Sequence, residues 1–473
     1  MLFINRKNEF GELDQIANQP HAQFVMVYGR RRIGKTTLLT TWAERTGLPT
    51  FYWVAKREPR AVLMSNLAQH IYAWEHHSES TDIEIRPSDW DSVLLMLAKA
   101  LGQQRAIVIL DEIPYVLESD PGFASYLQAA WDHQFKSTQA RLFLSGSHIG
   151  MMTRLVQYQA PLYGRFTAQL PVQPIAFAEI AEFLPGYDLY RRLAVYAVVG
   201  GIPAYLEQWR SNEPLHANIE RLFLKRTGWF RTEPLVLISD LTQRETENYE
   251  AILRAIANGR HVREQIAEAT AIPSESLSHY LPRLLDLQLL ERRIPATVPL
   301  PKRQTSKESR YFIRDSFLRF YYRFVDPNLH LIEQGLVQRL WAGMQENFRA
   351  FVAETFQDQC RTWVMVQAQK GTLPFEPEIV GGHWARDAQV DVVALNWREK
   401  QILLGEAKWG EGKVGREIIR ELVEKTALVV PDQGKGWQVH YAFFAREGFT
   451  GAAQVEAAQH SSLLITLSDM VKG

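Results

Sequence analysis

The chain has 473 residues, 46% of them hydrophobic and 22% charged, with 53 basic and 53 acidic side chains and no net charge when histidine is neutral. That length and mix suit about three ordinary soluble domains, each with apolar material for its own core, and exclude a uniformly basic nucleic-acid binder. A single cysteine, Cys360, excludes disulfide frameworks and multi-thiolate zinc sites and fits a reducing cytoplasm. The longest uncharged apolar stretch, 193–206, is too short to span a bilayer, and Arg6, Lys7 and Glu9 interrupt any export signal, so neither membrane nor export is expected.

In chain order, four short runs carry strand character: Phe24-Val25-Met26-Val27-Tyr28, residues 49–54, residues 106–110 and Arg141-Leu142-Phe143-Leu144-Ser145. Each is mostly apolar, β-branched or aromatic, and helix-like stretches separate them. Such strands predict a parallel sheet covered on both faces, so the fold class here is α/β. After the first strand comes Gly29-Arg30-Arg31-Arg32-Ile33-Gly34-Lys35-Thr36, a complete P-loop pattern continued by Thr37 into a helix. Its glycines let backbone N–H groups curl around phosphate oxygens at a helix N-terminus, whose dipole favours anions. Lys35 is expected to reach the β- and γ-phosphates of ATP, and Thr36 to place its hydroxyl on Mg2+. The third strand ends in Asp111-Glu112; Asp111 is expected to hold Mg2+ and Glu112 to polarise the attacking water.

From 171 to 245 helical periodicity replaces the strand signal. Residues 246–298 predict three helices and a β-like end at 289–293. The third helix is expected over 274–287, capped by Ser274 and kinked at Pro282, with Leu277, Tyr280, Leu281 and Leu284 on one face. Residues 299–310 are polar and basic and suit a wing or linker. A helical stretch is expected from Asp315 to Phe356, and the aromatic run 311–322 reads as core rather than as a base-stacking surface.

The last hundred residues return to α/β patterning. Two strands, 390–395 and 401–408, are joined by a short connection and predict a hairpin. Side-chain alternation puts Glu406 and Lys408 on one face, with Asp391 able to oppose them across the pair. Two carboxylates and a lysine so placed make a divalent-metal site: Asp391 and Glu406 would bind Mg2+, and Lys408 would orient or help deprotonate its water. Glu75-His76-His77-Ser78-Glu79 reads as a polar loop rather than a metal cluster. His148 reads as a helix cap or a phosphate contact, and Cys360 as a buried small residue.

The order and spacing of residues 3–10, 28–37, 111–115, 145–147, 163–165 and 200–206 resemble the archaeal-type ATPase family, a branch of the AAA/STAND P-loop ATPases. The resemblance implies that Asn5, Arg6 and Glu9 lie by the adenine of ATP and that Ser145, or its neighbour Ser147, senses the γ-phosphate. It implies that Gly201 and Pro203 belong to a helical lid contacting the base, although that run reads equally as a simple helix break. Arg165 is implied as a finger or sensor arginine, with a surface ion pair as the alternative. Residues 246–298 resemble a winged helix. Its exposed candidates would be Ser276, His279 and Arg283, with Lys302, Arg303, Lys307 and Arg310 in the wing or linker. The third helix is poor in base-reading side chains, which favours a structural lever over sequence-specific DNA reading.

The Asp391, Glu406, Lys408 pattern resembles the PD-(D/E)xK, or restriction-endonuclease-like, superfamily, and Glu354 is implied as its helical metal-assisting acid. Gln389 stands where many relatives carry an acid, and no proline precedes Asp391. The implied organisation is a P-loop ATPase core at 1–170, a helical lid at 171–245, a winged helix at 246–310, and linker helices with a restriction-endonuclease-like domain at 311–473. The implied function is a cytoplasmic ATP-hydrolysing protein whose nucleotide state controls a nuclease-like domain acting on DNA. Two alternatives stand: a non-nucleolytic switch that binds DNA or protein through its winged helix, and a ring-forming ATPase that moves nucleic acid. A homo-oligomer or protein partner stays open.

Overall fold

The computed structural model describes residues 6–78, 84–242 and 245–472. The chain divides into two compact units: the first runs to Ile175 and takes in Ile202–Tyr205, and the second comprises Ala176–Gly201 and the chain from Leu206 onward. Among the described residues no helix is long and apolar enough to cross a membrane.

The first unit is built on five strands, β1 (Gln23–Tyr28), β2 (Thr50–Val54), β3 (Ile107–Asp111), β4 (Arg141–Gly146) and β5 (Ala168–Pro171). They pair in parallel in the order β2-β3-β4-β1-β5, the parallel five-strand sheet typical of P-loop NTPases. β3 and β4 are buried at every position, because helices cover both faces of the sheet. Phe24, Met26, Val108, Leu110, Leu142 and Leu144 share a core with Trp90 and Trp131 from two of those helices. Phe143 points to the other face, where its ring lies 5.3 Å from that of Trp42 on the helix Lys35–Thr46. Parallel pairing brings the C-terminal ends of β1, β3 and β4 to one edge, with Tyr28 and Gly146 in register.

In the second unit the helices Thr246–Ala257, Arg263–Thr270 and Leu277–Asp286 precede an antiparallel pair, β6 (Leu290–Arg293) and β7 (Arg310–Ile313), so the expected order of three helices and a β-like end holds. The third helix begins at Leu277 rather than at Ser274. Residues 274–276 form a tight turn, with the Leu277 N–H donating to the Pro273 carbonyl at 3.2 Å, and Ser274 caps nothing. The long helical stretch expected from Asp315 is broken by Asp326-Pro327-Asn328 and by Gly335, whose φ of 75° is left-handed. It resumes as the 33-residue helix Val337–Gln369. Phe317, Leu318, Phe320, Tyr321 and Tyr322 are fully buried, so most of the aromatic run is core.

The remaining five strands are β8 (Ile379–Trp384), β9 (Gln389–Asn396), β10 (Gln401–Lys408), β11 (Gln438–Ala445) and β12 (Leu463–Thr466), ordered β12-β11-β10-β9-β8. β8, β9 and β10 are antiparallel neighbours, whereas β10, β11 and β12 run parallel. The hairpin read from the sequence is therefore β9–β10. Val393, Leu395, Ile402, Leu404 and Phe443 pack with Ile419 and Leu422 of the helix Arg416–Val429.

Gly29 connects β1 to the P-loop at a close approach, since a Cβ there would stand 2.5 Å from the Val172 carbonyl oxygen. Gly29→Ala is therefore expected to destabilise the fold by about 1–3 kcal/mol through overpacking. Gly11→Ala, where an added Cβ meets nothing within 4 Å, is expected to cost nothing. Equilibrium denaturation of both variants checks this.

Candidate functional site

The P-loop curls because Arg32 and Gly34 adopt left-handed φ values of 67° and 92°. Ile33 is buried and pins the loop to the core, and its N–H donates to the Arg30 carbonyl at 3.3 Å. Lys35 folds back over the loop, its ammonium donating to the carbonyls of Gly29 at 3.0 Å and Arg30 at 3.3 Å. Burial pushes the Lys35 pKa down, with Glu112 and Asp111 opposing that shift. Thr36 Oγ1 donates to Asp111 Oδ2 at 2.5 Å across 75 residues of sequence. The two expected Mg2+ ligands are thus brought together at the ends of neighbouring elements. Thr37 lies in the first turn of the same helix.

Beyond β3 the backbone turns sharply, Glu112 taking a left-handed φ of 53° while its N–H donates to Asp111 Oδ1 at 2.9 Å. The Glu112 carboxylate accepts from Ser147 Oγ at 2.8 Å and from the Ser147 N–H at 3.3 Å. Of the two serines named for the γ-phosphate, Ser147 reaches the expected water-polarising group. Ser145 is fully buried within β4, and its Oγ has no hydrogen-bond partner among the described residues. Tyr52, the middle residue of β2, was not singled out by sequence. Its hydroxyl donates to Asp111 Oδ2 at 3.4 Å, and burial together with the Asp111 charge pushes its pKa up to about 12. An aromatic hydroxyl two residues before a strand end was the available signal. His148 caps the helix Ile149–Arg154, its Nδ1 accepting from the Met151 N–H at 3.2 Å.

Arg6 braces the P-loop from the N-terminal side. It donates to the Ile33 carbonyl at 3.0 Å, the Gln173 carbonyl at 2.8 Å and Glu9 Oε1 at 2.6 Å. Asn5 lies outside the described residues. Arg30 reaches Tyr205, whose hydroxyl stands 3.4 Å from Nη2 and whose ring centroid lies 5.4 Å from the guanidinium carbon. Pro203 opens the short helix ending at Leu206. Gly201 belongs to the second unit. Arg165 is taken up locally by Asp132 at 2.8 Å and by the carbonyls of Pro161 and Tyr163 at 2.9 and 3.2 Å. These contacts are those of the ion-pair alternative.

In the second unit β9 and β10 bring Asp391, Glu406 and Lys408 together. Asp391 Oδ2 accepts from the Ala407 N–H at 3.1 Å, and the Lys408 ammonium donates to Glu406 Oε1 at 2.7 Å. Burial, then the nearby Glu406 charge, raises the Asp391 pKa to about 6. Glu354 is not brought into this cluster. It pairs with Arg323 at 3.0 Å, because its helix presents Gln357, one turn on, to the site instead. Gln357 Nε2 donates to Asp391 Oδ1 at 3.0 Å. Sequence reading missed Gln357, whose signal was its i+3 spacing from Glu354 on one helix. Among the described residues no group of three or more His, Cys, Asp or Glu side chains is placed to hold a metal. Of the winged-helix candidates, Ser276 and His279 are exposed and Arg283 is half-buried. Lys302 and Lys307 are exposed, whereas Arg303 donates to the Pro295 carbonyl at 2.9 Å and Arg310 lies over the Trp384 ring at 5.0 Å. His76 Nδ1 lies 2.9 Å from the Tyr72 carbonyl oxygen, one turn back along the helix Arg60–Glu75. Glu79 lies outside the described residues. Burial drives the Cys360 thiol pKa up, in keeping with a buried small residue.

Residues 3–209 match a family described as an ATPase domain predominantly from Archaea, and residues 321–421 match one described as archaeal and bacterial proteins of unknown function. An uncharacterized protein of Methanocaldococcus jannaschii is 29% identical over 449 residues, spanning 94% of this chain and 96% of the relative. An uncharacterized ATP-binding protein of the same organism is 41% identical over 44 residues, 9% of this chain and 75% of that relative. Among solved structures, the Walker-type ATPase PABY2304 of Pyrococcus abyssi has a similar fold. It superposes with a TM-score of 0.50 at 20% identity, covering 68% of this chain and 96% of its own.

Lys35→Ala removes the one ammonium inside the loop and is expected to weaken ATP binding by about 10- to 100-fold, the worth of a hydrogen bond to a charged group. Glu112→Gln is expected to retain ATP while slowing its hydrolysis by about 10²- to 10⁴-fold. Nucleotide titration and single-turnover hydrolysis separate the two effects.

Proposed function

We propose that this archaeal-type ATPase uses its nucleotide state to govern a divalent-metal, phosphodiester-hydrolysing site in its second unit, and that this site acts on DNA. In the first unit, water attacks the γ-phosphorus of ATP while the bond to the β-phosphate bridging oxygen breaks, releasing ADP and phosphate. Glu112 would take the water's proton, and the Ser147 hydroxyl that donates to its carboxylate supports this by fixing its orientation. Thr36 and Asp111 would hold Mg2+, and Lys35 would exchange its carbonyl partners for phosphate oxygens.

The convergence of Asp391, Glu406 and Lys408 carries the second half of the reading. The donor set suits Mg2+: Glu406 Oε2 is buried with no hydrogen-bond partner among the described residues, and Asp391 is raised by burial and by Glu406, a repulsion a dication would relieve. Two carboxylates are enough, since Mg2+ usually keeps several of its waters. When bound, the ion supplies a water of lowered pKa and Lewis-acid help to the phosphate. Gln357 and the Ala407 N–H orient the Asp391 carboxylate for that task. Lys408, about one-third exposed, can hold the attacking water or neutralise the scissile phosphate. The three helices and the β6–β7 pair support reading 246–313 as a winged helix, and the engaged Arg303 and Arg310 support its use as a lever.

With ATP and Mg2+ or Mn2+, the full chain is expected to nick supercoiled plasmid. Asp391→Asn and Lys408→Ala are each expected to abolish nicking while leaving ATP hydrolysis in place, and Lys35→Ala to remove its dependence on nucleotide. DNA binding without cleavage under every nucleotide and metal condition would replace this reading by a non-nucleolytic switch.

A further inference from the structure

The helix Val337–Gln369 carries a half-buried ionic hub that the phosphodiester chemistry does not itself use. Asp358 receives three arginines. Arg293, at the end of β6, places Nη1 at 2.9 Å and Nη2 at 3.1 Å from its two carboxylate oxygens. Arg361, one turn along the same helix, donates from Nη1 at 2.7 Å, and Arg319 approaches to 3.9 Å. Burial alone would raise the Asp358 pKa, but Arg293 and Arg361 outweigh it and hold the carboxyl below its ordinary range. Arg293 is fixed from its other side as well, with Nε donating to Glu291 at 2.6 Å and the guanidinium lying 4.5 Å from the centre of the Phe312 ring on β7.

The hub does not end at Asp358. Arg361 Nε donates to the Asp391 main-chain carbonyl at 2.8 Å, and Gln357, adjacent to Asp358, holds the Asp391 carboxylate. One helical turn therefore grips Asp391 by both its backbone and its side chain while gripping the β6–β7 pair through Arg293. A half-buried carboxylate held by the fork of Arg293 on one side and by Arg361 on the other has little freedom, because shifting either partner gives up charge-assisted hydrogen bonds.

We propose that Arg293, Asp358 and Arg361 are positioning residues that transmit the placement of the β6–β7 pair to Asp391, so that divalent-ion affinity at Asp391 and Glu406 depends on how that pair is seated. This rests on the reading of the carboxylate cluster as a metal site. By linkage, whatever displaces the β6–β7 pair changes ion affinity, and ion binding changes that displacement equally.

The test is Mn2+ titration of the nucleotide-free full chain, followed by the EPR signal of free Mn2+. An Asp111→Asn background silences the ATPase site. In that background a Mn2+ site removed by Asp391→Asn is expected. Arg361→Lys keeps the charge but loses the fork, and is expected to weaken that site by about 10- to 100-fold, as supporting partners of metal ligands do. Arg293→Lys, two bonds further away, is expected to weaken it in the same direction with an unchanged thermal midpoint, a split that a merely structural role would not produce. Arg293→Met should weaken the site more than Arg293→Lys. A Mn2+ site that needs Asp391 yet keeps its affinity in both lysine variants overturns the coupling alone. Absence of any Asp391-dependent Mn2+ site overturns the metal reading and the coupling with it.

Discussion

The first unit depends on one constraint, the parallel direction of its five strands. Parallel strands deliver their C-terminal ends to a single edge, so residues far apart in sequence emerge side by side. Thr36, after β1, meets Asp111, at the end of β3, and Ser147, just beyond β4, meets Glu112. None of these contacts is local, and each exists only because β1, β4 and β3 are adjacent in register. The apolar character of β3 and β4, buried at every position, enforces the arrangement, since a strand covered on both faces cannot be moved to an outer, wet position without exposing one of them.

In the second unit a different geometry gathers the charges. The β9–β10 connection is short, so antiparallel pairing alone sets Asp391 against the strand bearing Glu406 and Lys408. The long helix then decides how this cluster is supported. A helix offers neighbouring residues to different surroundings, so Glu354 turns to Arg323 while Gln357 turns to Asp391 and Asp358 to Arg293. A carboxylate and a carboxamide one turn apart thereby have unrelated partners. The consequence for the proposed metal chemistry is a site with two carboxylates and a neutral orienting group, where a third acid was expected.

Much of this was open to reading from the chain. The P-loop and the Asp111-Glu112 pair are signalled by local residue order, because the phosphate cradle is a continuous loop and the acidic pair closes a continuous apolar strand. The β9–β10 hairpin was legible for the same reason. Boundaries were less so: the third helix starts at Leu277 because the turn before it satisfies its own hydrogen bonds, and the long stretch from Asp315 breaks where proline and a left-handed glycine intervene.

The sequence by itself thus determined which chemical groups are present and the elements that bear them: the cradle with Lys35 and Thr36, the acids after β3, and the Asp391, Glu406 and Lys408 set on paired strands. Tertiary structure alone decided which partner each long side chain chose. Arg6 went to the Ile33 and Gln173 carbonyls, Arg165 to Asp132, Tyr52 to Asp111, and Gln357 rather than Glu354 to Asp391. The physical reason is reach: a guanidinium, a phenol or a carboxamide several bonds from its backbone can satisfy itself with any group that packing brings within about 3 Å, and spacing along the chain does not record which group that is.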